Sequence, residues 1–162
     1  MLTMVDYNYS SKYLETLSNF RKAKRFTDIK LQIEDNEIFA HRTVLSAASP
    51  VFTAMLDENY AGGKKNSLVL FYETTAPVTQ AILDYMYSGR LDIEMKHVDL
   101  LLRNLDYLEM EDAKKECERA LITNINFGNC FGILVLAIHN CSTMIRFIFN
   151  DILYVIRTEI FK

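Results

Sequence analysis

Residues able to do chemistry are few and scattered in this 162-residue chain. The nearest approach to a phosphate loop is Gly62-Gly63-Lys64-Lys65-Asn66-Ser67. Such a loop requires a glycine five positions before its Gly-Lys pair and a hydroxyl directly after the lysine. Backbone N–H groups then cradle the phosphates, and the hydroxyl reaches the magnesium ion. Glu58 and Lys65 occupy those two positions here, so the segment reads as a solvated turn. His41, His97 and His139 form no pair at metal-ligand spacing. Cys117, Cys130 and Cys141 are an odd set without a C-x-x-C pair, which argues against both a disulfide framework and a structural zinc site. Cys130, His139 and Cys141 fall on adjacent turns but lack a fourth ligand, and no local Cys-His nucleophile signature accompanies them. The acidic pairs Glu34-Asp35 and Glu111-Asp112 stand where a turn and a helix start place charge. The residues therefore read as those of a chain that is not an enzyme and needs neither cofactor nor metal.

Composition supports a packed globular core, with 50% apolar and 24% charged residues. The 18 basic and 21 acidic side chains give a net charge of −3, unlike the basic face of a nucleic-acid binder. The N-terminus lacks the basic start and apolar run of a signal peptide. With the odd cysteine count, this predicts a reducing interior, cytoplasmic or nuclear. Residues 120–145 carry no formal charge, but Asn124, Asn126, Asn129, His139, Asn140 and Ser142 interrupt them. A spanning helix requires about 20 predominantly apolar residues, so a buried soluble helix is expected and no membrane partner.

The elements follow from hydrophobic periodicity. Ser10 or Ser11 is expected to cap a first helix reaching Lys24, with Tyr13, Leu14, Leu17 and Phe20 on one face and Lys12, Glu15 and Arg21 on the other. Ile29, Leu31 and Ile33 alternate with polar residues as a half-buried strand does. Asp35-Asn36 is read as the turn into a second strand over Ile38–His41. HRTVLSAAS reads as a short helix, and Ser49-Pro50 starts another that carries Val51, Phe52, Met55 and Leu56 to about Asn59. SLVLFY is a third strand, apolar enough for burial on both faces. A helix from Thr75-Pro77 is stopped by Gly89, and Arg90–Ile93 is read as a short strand. Val98, Leu101, Leu102, Leu105 and Leu108 define the next helix. EDAKKECERALI forms another, buried through Cys117, Ala120 and Leu121, and helical patterns rich in Ile and Phe follow Asn126. The class is α+β, mostly helical.

In this order the elements resemble a known family. FTDIKLQIEDNEIFAHRTVLSAASPVFTAML is similar to the opening of a BTB (POZ) domain, through Phe26, Asp28, Ala40, His41, Arg42, Leu45, Ser49 and Phe52. LDYMYSGRL resembles that family's helix-end segment through Leu83, Tyr85, Tyr87 and Gly89. VDLLLRNLDYLEMEDAKKECERAL resembles its closing helix pair. NFGNCFGILVLAI is similar to the start of a BACK domain, through Asn129, Cys130, Phe131, Gly132 and Ile133. The resemblance implies a small, mainly three-stranded sheet flanked by a helical cluster over residues 1–125, then partial BACK-like helices over 126–162. It implies a truncated BTB-BACK-kelch adaptor, and the Ile, Asn, Tyr and Phe content resembles that of poxviral kelch-like proteins.

The same resemblance implies function and sites. A homodimer seam would use Tyr13, Leu14, Leu17, Thr43, Val44 and Ala47. A surface for the N-terminal domain of cullin-3, the ubiquitin-ligase scaffold, would use Phe52, Met55, Asp57, Tyr60, Leu83 and Tyr87. Asp28 and Arg42 would be a buried charged pair near the seam, and His41 a satisfied core or interface histidine. The family's hydrophobic-x-Glu motif becomes Tyr60-Ala61-Gly62 here, without the acid. The expected function is a protein-interaction module: an adaptor for cullin-3 that presents an unidentified substrate protein, or a competitor that occupies cullin-3. The alternative is an oligomerisation or corepressor-docking BTB without cullin binding.

Overall fold

The computed structural model describes residues 6–57, 67–69, 73–126, 128–139, 154 and 157. They fall into two compact units, residues 1–110 and 111–162.

In the first unit, helix α1 (Tyr9–Lys22) precedes strands β1 (Ile29–Ile33) and β2 (Asn36–Ala40). Helices α2 (Arg42–Ala48) and α3 (Pro50–Leu56), strand β3 (Ser67–Val69) and helix α4 (Ala76–Ser88) come next. A single 3-10 turn at Met95–His97 leads into α5 (Val98–Tyr107). The sheet order is β2-β1-β3, with β1 antiparallel to β2 and parallel to β3. Burial alternates along β1 as its sequence predicts, with Ile29, Leu31 and Ile33 inside. The parallel β1–β3 pair needs a long crossover, and α2 and α3 lie within it. Helix α4 packs against α1, α2 and α5. Its Val78, Ile82, Leu83, Met86 and Tyr87 meet a core that also holds Leu45, Phe52, Leu101, Leu105 and Leu108.

Several local expectations shift. Helix α1 starts at Tyr9, before either serine, because the Asp6 carboxylate accepts the Asn8 N–H at 2.9 Å and sets the first turn. Arg21, expected on its polar face, is 4% exposed. The hairpin turn is Glu34-Asp35, since the register pairs Ile33 with Asn36; Glu34 adopts φ 51° and its carbonyl accepts the Gln32 amide at 2.8 Å. Helix α3 ends at Leu56, three residues early. Among the described residues, 90–94 form no ladder and so no strand, and Leu91 and Ile93 are half-buried. Gly89 stops α4 at φ 68°, as expected. The Gly62–Asn66 segment and the end of SLVLFY lie outside the described residues.

Ser49 is a cap with a tertiary role. Its Oγ accepts the Phe52 N–H at 3.3 Å and donates to the Leu108 carbonyl at 2.6 Å. The start of α3 is thereby tied to the end of α5.

The second unit holds α6 (Glu111–Thr123) and α7 (Cys130–His139). Cys130, Ile133 and Ala137 of α7 pack against Leu121, Ile122 and Ile125. In α6 the buried residues are Ala113 and Glu118, whereas Ala120 is exposed and Cys117 and Leu121 half-buried. Phe131, Val135 and Ile138 form an exposed apolar stripe on the opposite side of α7. No helix of the described residues is long and apolar enough to cross a membrane.

Candidate interaction surfaces

Helix α1 carries Tyr13, Leu14 and Leu17 at helical spacing, and α2 carries Thr43, Val44 and Ala47. All six line one open groove of about 320 Å³. Ala48 and Met86 complete it. Ala48, four residues after Val44, was legible from helical spacing; Met86 enters only because α4 docks beneath α2. Tyr13 is 56% exposed and stacks on the exposed Tyr9 with ring centroids 6.4 Å apart, so an aromatic lip borders the groove. Apolar side chains left open to water in one concavity favour a protein partner.

Three residues of the second expected surface are not at the surface. Phe52, Leu83 and Tyr87 are interior, each at most 1% exposed. Their spacing explains this: Phe52 and Leu56 are one turn apart on α3, and Leu83 and Tyr87 one turn apart on α4, so each pair shares a core-facing stripe. Met55 is half-buried and Asp57 exposed, both at the end of α3. Tyr60 lies outside the described residues.

The expected buried Asp28–Arg42 pair is also corrected. Asp28 is exposed and Arg42 half-buried. The Asp28 carboxylate accepts the Arg42 backbone N–H at 2.8 Å, the bond of a cap at the start of α2. A carboxylate there answers an unpaired helix N–H, for which burial is unnecessary.

The buried charge lies elsewhere and was missed. Arg21 of α1 reaches Asp84 of α4, which is 43% exposed at its side chain and also accepts from Gln80. The Arg21 guanidinium sits 5.0 Å from the Tyr87 ring centre. The Tyr87 hydroxyl accepts the His41 N–H at 2.9 Å and lies 2.7 Å from His41 Nδ1. The hydroxyl and Nδ1 thus share a hydrogen bond whose direction follows the His41 tautomer. Burial raises the Tyr87 pKa, opposed by the His41 backbone bond and the Arg21 charge. The only sequence signal was a basic residue at a core-compatible phase of α1.

Nothing in this set resembles a reaction centre. Burial and the neighbouring Glu118 push the Cys117 thiol up to about 11, the reverse of an activated nucleophile. Cys130 is fully buried. Among the described residues, no three His, Cys, Asp or Glu side chains converge to hold a metal. Cys141 falls outside the described residues.

In the first unit a small mixed sheet packs with helices, and an apolar groove opens between α1 and α2. A family model described as BTB/POZ domain matches residues 17–125, and the chain belongs to that family. Human Kelch-like protein 28 is 35% identical over 133 residues, covering 82% of this chain and 23% of that protein. Kelch repeat and BTB domain-containing protein 1 of cowpox virus is 30% identical over 130 residues, covering 80% and 23%. The BTB domain of human gigaxonin superposes with a TM-score of 0.62 at 26% identity, over 72% of this chain and 94% of that domain. The chain therefore spans about a quarter of the length of the curated relatives it matches. BTB domains of this kind are protein-interaction modules rather than enzymes.

Proposed function

We propose that the chain homodimerises through the α1/α2 groove and acts as a cytoplasmic adaptor, or competitor, at cullin-3. The observation that carries the dimer is the groove itself: Tyr13, Leu14, Leu17, Thr43, Val44 and Ala47 around one apolar concavity. A twofold contact buries the same patch on both copies, which doubles the apolar area removed from water. Light scattering at micromolar concentration is expected to give twice the 18.8 kDa chain mass. Leu17→Asp places a charge in the seam and is expected to yield the monomer. A wild-type monomer would refute the dimer.

Support for cullin-3 is narrower. It rests on the family resemblance and on Met55, Asp57 and Tyr60 along and after the end of α3; Phe52, Leu83 and Tyr87 are interior. The acid missing at Gly62 removes a charge-assisted contact worth about 1.5–3 kcal/mol, which Asp57 or Glu58 would have to replace from one turn earlier. Calorimetric titration with the cullin-3 N-terminal domain is expected to show one site per protomer, strongly weakened by Tyr60→Ala. Absence of heat would favour the second reading, a dimerisation or corepressor-docking module, which Gly62 already favours. Residues 126–162 belong in this proposal as a partial BACK-like segment, with substrate presentation left to regions of the kind the longer relatives possess.

A further inference from the structure

The sequence from 21 to 30, RKAKRFTDIK, places five cations and one acid in ten residues of a chain whose net charge is −3. Arg21 and Lys30 are committed to Asp84 and Glu37. Lys22, Lys24 and Arg25 are exposed and have no carboxylate partner among the described residues. Two of these three are held by aromatic rings instead. Lys24 Nζ lies 4.6 Å from the Phe39 ring centre. The Arg25 guanidinium sits 5.5 Å from Phe20 and 5.3 Å from Phe26, two rings that meet edge to face at 5.0 Å and 74°.

Phe26 is 70% exposed and adopts φ 57°. Left-handed backbone is costly for a bulky L-residue. At Lys24, φ 53°, the conformation has a local cause, because the Lys24 and Arg25 N–H groups close the end of α1 onto the Arg21 and Phe20 carbonyls. No such bond among the described residues requires it at Phe26. The ring is thus held in water, on a strained backbone, as one wall around a guanidinium whose N–H donors remain open. Backbone strain kept without a local structural cause clusters at ligand clamps and other functional sites.

We propose that Arg25, cradled by Phe20 and Phe26 and flanked by Lys22 and Lys24, docks an acidic segment of a partner protein. The pre-stacked guanidinium presents a planar fork to a carboxylate with its rotamer entropy already spent. Phe26 adds an apolar anchor, and the two lysines take neighbouring acids. A linear segment fits better than a membrane: exposed Asp28 and the Lys30–Glu37 pair lie beside the cations and would repel a broad anionic surface, whereas a single extended strand passes between them. The site shares no residue with the α1/α2 groove.

The test is fluorescence anisotropy with a labelled Glu-Glu-Leu-Glu-Glu-Leu peptide on the full chain, with its Gln-for-Glu version as control. Saturable binding of the acidic peptide alone, weakened by salt, is expected. Arg25→Ala and Phe26→Gly should each weaken it at least about tenfold, the scale of losing one interface anchor. Phe26→Gly should also unfold at a higher urea concentration than wild type, since it relieves the backbone while removing the ring. Both variants should keep the wild-type oligomeric state and circular dichroism. Absent binding, or equal binding by the variants, overturns the proposal. Arg25-dependent binding to phosphatidylserine vesicles without peptide binding overturns it in favour of a membrane surface.

Discussion

Around the Tyr87 hydroxyl, three elements meet: α4, which carries the ring; the start of α2, whose His41 donates its backbone N–H; and α1, whose Arg21 lies over the ring face. Replacing Tyr87 by Phe leaves the His41 N–H and Nδ1 buried without a partner, and such groups cost about 1–3 kcal/mol each when orphaned. Tyr87→Phe should therefore lower the urea midpoint near neutral pH. The pH dependence has a definite sign. In the unfolded chain the phenol ionises near about 10, while burial raises its folded value. The stabilisation is fully present below pH ~10 and is lost as pH rises through the folded value. The variant should show a flatter decline of stability in the alkaline limb; an unchanged slope would mean that Tyr87 ionises as freely in the fold as outside it. The sequence predicts His41 as a satisfied core or interface histidine, and it is buried with its N–H and Nδ1 paired to Tyr87; Tyr87 it predicts as an exposed anchor, and that residue is interior. Their pairing across 46 positions leaves no local trace.

Element boundaries obeyed local chemistry wherever one residue controls the backbone. Gly89 ends α4 in the left-handed region, and a Cβ there meets nothing within 4 Å. Gly89→Ala should then cost only the backbone term, roughly 1–2 kcal/mol, and Gly89→Asn distinctly less, as read from urea unfolding. Equal losses would point to a contact rather than to φ. Ser49-Pro50 likewise started α3 where expected. Boundaries failed where partners decide them. The hairpin turn moved one residue because strand register is set by which side chains of β1 reach the core. Residues 90–94 pair with no strand among the described residues, and an unpaired strand is not a stable element.

At the scale of the whole chain, each compact unit has its own packed centre, and the apolar half of α6 depends on α7. Ending the chain after Asn126 removes the cover from Leu121, Ile122 and Ile125. Hydrogen exchange should then accelerate about tenfold or more across 117–125, the signature of local opening, while β1 and α5 keep their protection. Loss of protection in β1 would show that the first unit is not self-sufficient. Unchanged protection in α6 would show that its own propensity suffices.

Six residues of the α1/α2 groove were named through the family resemblance, and Met86 by the tertiary structure alone. The amino-acid sequence by itself determined the class of fold, the alternating burial of β1 and the helical stripes of α3, α4 and α5. These rest on period, capping and glycine geometry, which act within a few residues of the chain. Tertiary structure alone decided that Arg21 is buried and Asp28 exposed, that Phe52, Leu83 and Tyr87 face inward, and that Arg25 is clasped by two rings. A helical stripe shows which residues share a face but not which face finds a partner. That choice belongs to the packing of α1 and α2 against α4, where contacts are separated by tens of residues and the net gain is settled by what each surface meets.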